Sequence, residues 1–126
     1  TLFVMGSGVN VAQGQLICGK KSITFCGDGT FWHSGINGLI NAAYNRHNIV
    51  MVIMDNDCVA MTGQHPVAQI PIEKICQDLG CDVKIINPYK DNIQEAIDSA
   101  IKKPEKIQVI ISRAMCALKL KKCSTK

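Results

Sequence analysis

Gly27-Asp28-Gly29-Thr30-Phe31-Trp32-His33-Ser34-Gly35 and, further on, Ile49-Val50-Met51-Val52-Ile53-Met54-Asp55-Asn56 are the stretches whose reading decides the fold. An apolar run, Ile23-Thr24-Phe25-Cys26, leads into the Gly-Asp-Gly turn, and a second, partly β-branched run leads into Asp55-Asn56. Both read as buried strands of a parallel sheet joined by a crossover helix. In such a unit both strands finish at one edge, so Asp28 and Asn56 are expected side by side where open α/β sheets hold ligands. A carboxylate and an amide oxygen beside a glycine turn suit a hard divalent cation, Mg²⁺ or Ca²⁺, carrying a phosphorylated ligand.

The chain around this unit repeats the alternation of strand and helix. Upstream, Leu2-Phe3-Val4-Met5 is a short strand candidate, followed by Gly6-Ser7-Gly8 and a helix with Val9, Ala12 and Leu16 on one face, weakened by Gly14. The third glycine of a dinucleotide-binding G-x-G-x-x-G is replaced by Val11, and the next acidic residue is Asp28, so a nicotinamide fingerprint is not supported. Between the two central strands, Ile36, Leu39, Ile40 and Ala43 form a helical stripe, and Gly35 and Gly38 permit close backbone approach to sheet or ligand. Downstream, Pro71 opens a helix with Ile72, Ile75, Cys76 and Leu79 inward and Gly80 as its stop. Val83–Ile86 is a strand, and Asp91 with Gln94 reads as a capping box for a helix burying Ile93, Ala96, Ile97, Ala100 and Ile101. Pro104 ends that helix and Ile107–Ile111 is the last strand, giving a three-layer α/β/α parallel sheet.

With 126 residues the chain is one domain, expected to be a piece of something longer because it starts at Thr1 inside an apolar run. No apolar run is long enough to span a bilayer and no secretory leader is visible. The net charge of +4 is accounted for by Lys119, Lys121, Lys122 and Lys126, so residues 119–126 read as a solvated basic tail behind a domain of residues 1–118. No nucleic-acid module accompanies it. The seven cysteines lack C-x-x-C spacing, so no iron–sulfur cluster or zinc knuckle is built here. Cys18, Cys26, Cys76 and Cys116 read as small buried hydrophobes of a cytoplasmic protein.

Gly-Asp-Gly with a distant Asn resembles the cofactor motif of thiamine-diphosphate enzymes. The fuller text, Gly27 to Ile36 with Met54-Asp55-Asn56 and Ala60-Met61-Thr62-Gly63-Gln64, is similar to the 2-oxoacid:ferredoxin oxidoreductases. The likeness is strongest to the large subunit of the indolepyruvate type, and it runs from Met5 to Leu118. It implies a thiamine-diphosphate-binding fold, with Asp28, Asn56 and the main-chain carbonyl of Cys58 on Mg²⁺. Gly29 and Thr30 lie where free amides favour phosphate, and the resemblance adds Gly27, Gly6 and Ser7 as cofactor contacts. It also implies that Thr62 and Gly63 close over the diphosphate end.

The implied activity is oxidative decarboxylation of an indolepyruvate-like 2-oxoacid to an acyl-CoA, with electrons passed to ferredoxin. Thiamine diphosphate serves such chemistry as an electron sink. The family's activating glutamate comes from a second, pyrimidine-binding domain, and Glu73, Glu95 and Glu105 stand in no such motif. This chain is therefore expected to be the diphosphate-binding half of a site. Its catalytic base and iron–sulfur clusters are expected on other domains or chains. The loop from Gln64 to Pro71 is shorter than the indolepyruvate-type pattern, and only Cys123 remains where that pattern continues into cysteine-rich motifs. The alternatives are a non-oxidative thiamine-diphosphate decarboxylase or synthase module, and a non-catalytic scaffold subunit of the same fold. Of the nearby residues, Asp55 is expected to be satisfied by neighbouring amides and Asp57 to be exposed. His33 is expected to pack or hydrogen-bond at the helix start, with a proton-transfer role as the sharper reading. Phe31 and Trp32 are expected in the core.

Overall fold

The computed structural model describes residues 4–63, 65–103 and 105–117. Its elements are α1 (Ser7–Ile17), β1 (Ile23–Gly27), α2 (Asp28–Thr30), a π-helical turn (Phe31–Gly35), α3 (Ile36–Tyr44), β2 (Val50–Asp55), a 3₁₀ turn (Ala60–Thr62), α4 (Ile72–Asp78), β3 (Asp82–Ile86), α5 (Ile93–Ile101) and β4 (Gln108–Arg113). The four strands form one parallel sheet in the order β1-β2-β4-β3. Of the expected first strand, Leu2 and Phe3 lie outside the described residues, and Val4 and Met5 are not in a strand. Pro104 and residues 118–126, including the basic tail, lie outside them too.

Two apolar layers hold the helices to the sheet. Met51, Ile53, Val109 and Ile111 pack with Val9, Phe31, Leu39, Ile72 and Cys76 on one face. Val50, Val52 and Ile110 pack with Ala96 and Ala100 of α5 on the other. β2 is buried on both faces from Val50 to Ile53, as its unbroken apolar text predicts. β1 alternates instead: Thr24 and Cys26 are buried while Ile23 and Phe25 are exposed. The reason is coverage. Among the described residues β1 is an edge strand, and α5, the helix on the Phe25 side, packs on β4.

Three helix expectations shift. The α3 stripe turns so that Gly38, Leu39 and Ala42 are buried and Ile40 is exposed. The cause is α1, which lies so close that a Cβ on Gly38 would stand 2.9 Å from the Cβ of Val9. Gly38 therefore admits a helix, where sheet or ligand was expected. Gln13, buried between them, donates to the Gly38 carbonyl at 3.2 Å and meets His47 Nδ1 at 2.9 Å. The cap of α5 is Asn92, whose side chain accepts from the Glu95 amide at 3.2 Å. Asp91 instead accepts from the Asn87 amide at 2.7 Å, so the predicted box is displaced by one residue. Ile93 consequently falls on the exposed side. Gly80, at φ 80°, ends α4 as predicted.

Candidate functional site at the carboxyl edge of the sheet

Parallel register brings the two motif ends together. Gly27 pairs with Met54, so Asp28 and Asn56 leave adjacent strands at the same edge. The Asp28 carboxylate is 2% exposed. One oxygen accepts from the Gly29 amide at 2.7 Å and the other from the Asn56 amide at 3.1 Å. The first bond is the local turn contact an aspartate makes in any such loop. The second crosses from β1 to β2 and joins the motif's two halves. Among the described residues no cation pairs with Asp28. A buried carboxylate with only neutral donors is costly unless a positive charge joins it.

The side-chain oxygen of Asn56 accepts from the Cys58 amide at 3.2 Å and from its thiol at 3.5 Å. The amide is thus held by the residue whose carbonyl was expected on the metal. A Cβ on Gly29 would stand 2.8 Å from Cγ2 of Val59, so the Gly-Asp-Gly turn rests on the loop that follows Asn56. Asp28, Gly29, Asn56 and Cys58 therefore form one cluster. Among the described residues no three His, Cys, Asp or Glu side chains converge on a metal site. An ion here would complete its shell with phosphate and water oxygens, the habit of Mg²⁺.

Beside the cluster, a groove of about 240 Å³ is lined by Gly6, Gly8, Thr24, Gly27, Thr30 and Met54, among others. Three predicted cofactor residues, Gly6, Gly27 and Thr30, share this lining. Gly6 adopts φ 84°, and a Cβ there would collide with the Ser34 hydroxyl, which donates to the Met5 carbonyl at 2.9 Å. The hydroxyl of Ser7 is buried without a partner, a polar group left for something the described residues do not supply. Thr62 and Gly63 are exposed, on a loop tied by the Val59 amide to the His65 carbonyl at 2.8 Å.

Several neighbours differ from expectation. Asp55 is held by the guanidinium of Arg113 at 2.7 Å, where neighbouring amides were expected, and sequence alone does not bring β4 beside it. Asp57 is exposed as expected, at φ 59°, and accepts from Gln69 at 2.7 Å. Phe31 is fully buried and meets Trp32 edge to face, whereas His33 is exposed in the π-helical turn rather than packed. Cys26, Cys76 and Cys116 are buried, but Cys18 is exposed. Burial pushes the thiols of Cys26 and Cys76 up to about 12 and that of Cys81 to about 11, so they stay protonated and inert at neutral pH.

Residues 1–111 match the family model of the thiamine pyrophosphate enzyme C-terminal TPP binding domain. The chain is 34% identical to the indolepyruvate oxidoreductase subunit IorA of Pyrococcus horikoshii, with 94% of this chain and 22% of that protein covered. It is 38% identical to the subunit of the same name from Methanothermobacter marburgensis, covering 93% and 21%. The chain thus spans about a fifth of the length of these relatives. Among solved structures, it is similar to a thiamine diphosphate-dependent 4-hydroxybenzoylformate decarboxylase from Rhodococcus jostii RHA1. That match has a TM-score of 0.70 and 23% identity, over 88% of this chain and 23% of that one. Transketolase from Leishmania mexicana matches with a TM-score of 0.61 and 13% identity, over 85% and 18%. Both likenesses bear on the fold, which is the α/β thiamine-diphosphate-binding one.

Proposed function

This chain belongs to the C-terminal TPP-binding domains of thiamine pyrophosphate enzymes, and from that membership we propose that it is the diphosphate-binding half of the active site of an indolepyruvate-type 2-oxoacid oxidoreductase. The observation that carries the proposal is the buried Asp28 carboxylate, bonded across the strands to Asn56 and lacking a cationic partner among the described residues. A Mg²⁺ ion supplies that charge in this reading, held by Asp28, the Asn56 amide oxygen and the Cys58 carbonyl. Gly6, Ser7, Gly27, Gly29, Thr30, Thr62 and Gly63 then contact the cofactor. The unpartnered Ser7 hydroxyl and the groove shared by Gly6, Gly27 and Thr30 support this assignment.

Bound thiamine diphosphate supplies the electron sink for cleaving the bond between the carboxylate and carbonyl carbons of a 2-oxoacid. This chain's own residues anchor and orient the diphosphate end. No general base is assigned to them: Glu73 is engaged by Arg113, and Glu95 and Glu105 are exposed on or beyond α5. The catalytic glutamate, the iron–sulfur clusters and the docking site for ferredoxin belong, in this proposal, to other domains or subunits. That the relatives are oxidoreductase subunits, and that the chain spans only a small share of each, support that division. Among the described residues no helix is long and apolar enough to cross a membrane; a cytoplasmic location is part of the proposal.

The test is an assay of the complete protein with indolepyruvate, coenzyme A and a viologen dye. The proposal expects dye reduction that depends on thiamine diphosphate and Mg²⁺. Aldehyde release without dye reduction would replace it with the non-oxidative decarboxylase, and absence of both turnover and cofactor binding would point to a scaffold role.

A further inference from the structure

One guanidinium joins both ends of the loop that carries Asn56. Arg113, the last residue of β4, donates through Nε to Asp55 at 2.7 Å. Through Nη1 and Nη2 it grips the two oxygens of Glu73 at 3.2 and 2.6 Å. Asp55 closes β2 immediately before Asn56, and Glu73 lies in the first turn of α4, where the loop ends. The Ala114 amide adds a bond to the Asp55 carbonyl at 3.1 Å. Among the described residues, the ties of the loop between these stems include Asn56 to Asp28, Cys58 to Asn56, Val59 to His65, and Gln69 to Asp57 and Val67.

A lone surface ion pair contributes little, but a planar fork that holds one carboxylate by two bonds and a second by another is a network with fixed geometry. The two carboxylates are partly sheltered, Asp55 being 15% and Glu73 27% exposed, while the Arg113 side chain is 42% exposed. Fixing both stems narrows the conformations open to residues 56–71, and a loop ordered in advance spends less of its binding energy on being ordered by ligand.

We propose that Arg113 is a positioning residue for the cofactor site, clamping the two stems of the 56–71 loop so that Asn56 and Cys58 are held ready for a metal-bound diphosphate. This rests on the reading of Asp28 and Asn56 given above.

The test combines amide hydrogen exchange of the complete protein with calorimetric titration by thiamine diphosphate and Mg²⁺. Arg113→Gln should raise exchange across residues 57–70 and leave β1 and β2 protected. It should weaken cofactor affinity roughly tenfold and change kcat at saturating cofactor less than about twofold. Arg113→Lys should recover only part of the affinity, because an ammonium cannot hold both carboxylates in one plane. If Arg113→Gln matches wild type in loop exchange or in affinity while Asp28→Ala loses binding, the clamp is wrong and the site stands. If Asp28→Ala binds as wild type does, the site reading fails and the positioning role falls with it. Should Arg113→Gln also deprotect the strands, Glu73→Gln and Arg113→Lys decide by the same criteria.

Discussion

At the carboxyl ends of the strands, a groove of about 240 Å³ lies beside a buried carboxylate, an amide and an unpartnered serine hydroxyl. At the amino ends, a larger cavity of about 380 Å³ has Leu16, Ile23 and Ile101 in its wall with Lys21, Arg46 and Lys103 around them. The larger space exists because one helix, α5, leaves part of its sheet face uncovered near β1. Lys103 is already paired with Asp82 at 3.0 Å, and no buried polar side chain there lacks a partner among the described residues. Volume therefore reflects incomplete coverage, whereas the proposed site is carried by the polar groups beside the smaller groove.

The sharpest break between the two ends is expected at Asp28. Asp28→Ala should weaken thiamine diphosphate binding in the presence of Mg²⁺ by about 100-fold or more, roughly 2.7 kcal/mol, as measured by calorimetry. Chelating Mg²⁺ from the wild type should do the same. Next comes Gly6→Ala at the groove. Its left-handed φ and the collision with Ser34 should lower stability by about 2 kcal/mol, read as a fall in melting temperature. Smallest is the amino end: Lys21→Ala with Arg46→Ala should change cofactor affinity less than about twofold. A large loss there would reverse the comparison.

The parallel sheet and the meeting of Asp28 with Asn56 were legible because both follow from local text. Two apolar runs ending in a glycine turn and in Asp-Asn, with a helical stripe between them, allow one arrangement in a right-handed crossover. What sequence reasoning missed depends on elements distant in the chain. The exposure of Ile23 and Phe25 follows from where α5 packs, and the inward turn of Gly38 and Ala42 from the approach of α1. Arg113 reaches Asp55 only because β4 inserts between β2 and β3, an order that hydrophobic periodicity does not encode. The Asp91-to-Asn92 shift at the α5 cap is the ordinary ambiguity between adjacent capping residues.

The central claim concerns one cation between two strand ends. A crystal structure of the complete protein with thiamine diphosphate and Mg²⁺ tests it most directly. The account predicts an octahedral ion about 2.1 Å from an Asp28 carboxylate oxygen and from the Asn56 side-chain oxygen. An ion and diphosphate bound elsewhere, with Asp28 still holding only the Gly29 and Asn56 amides, would contradict it.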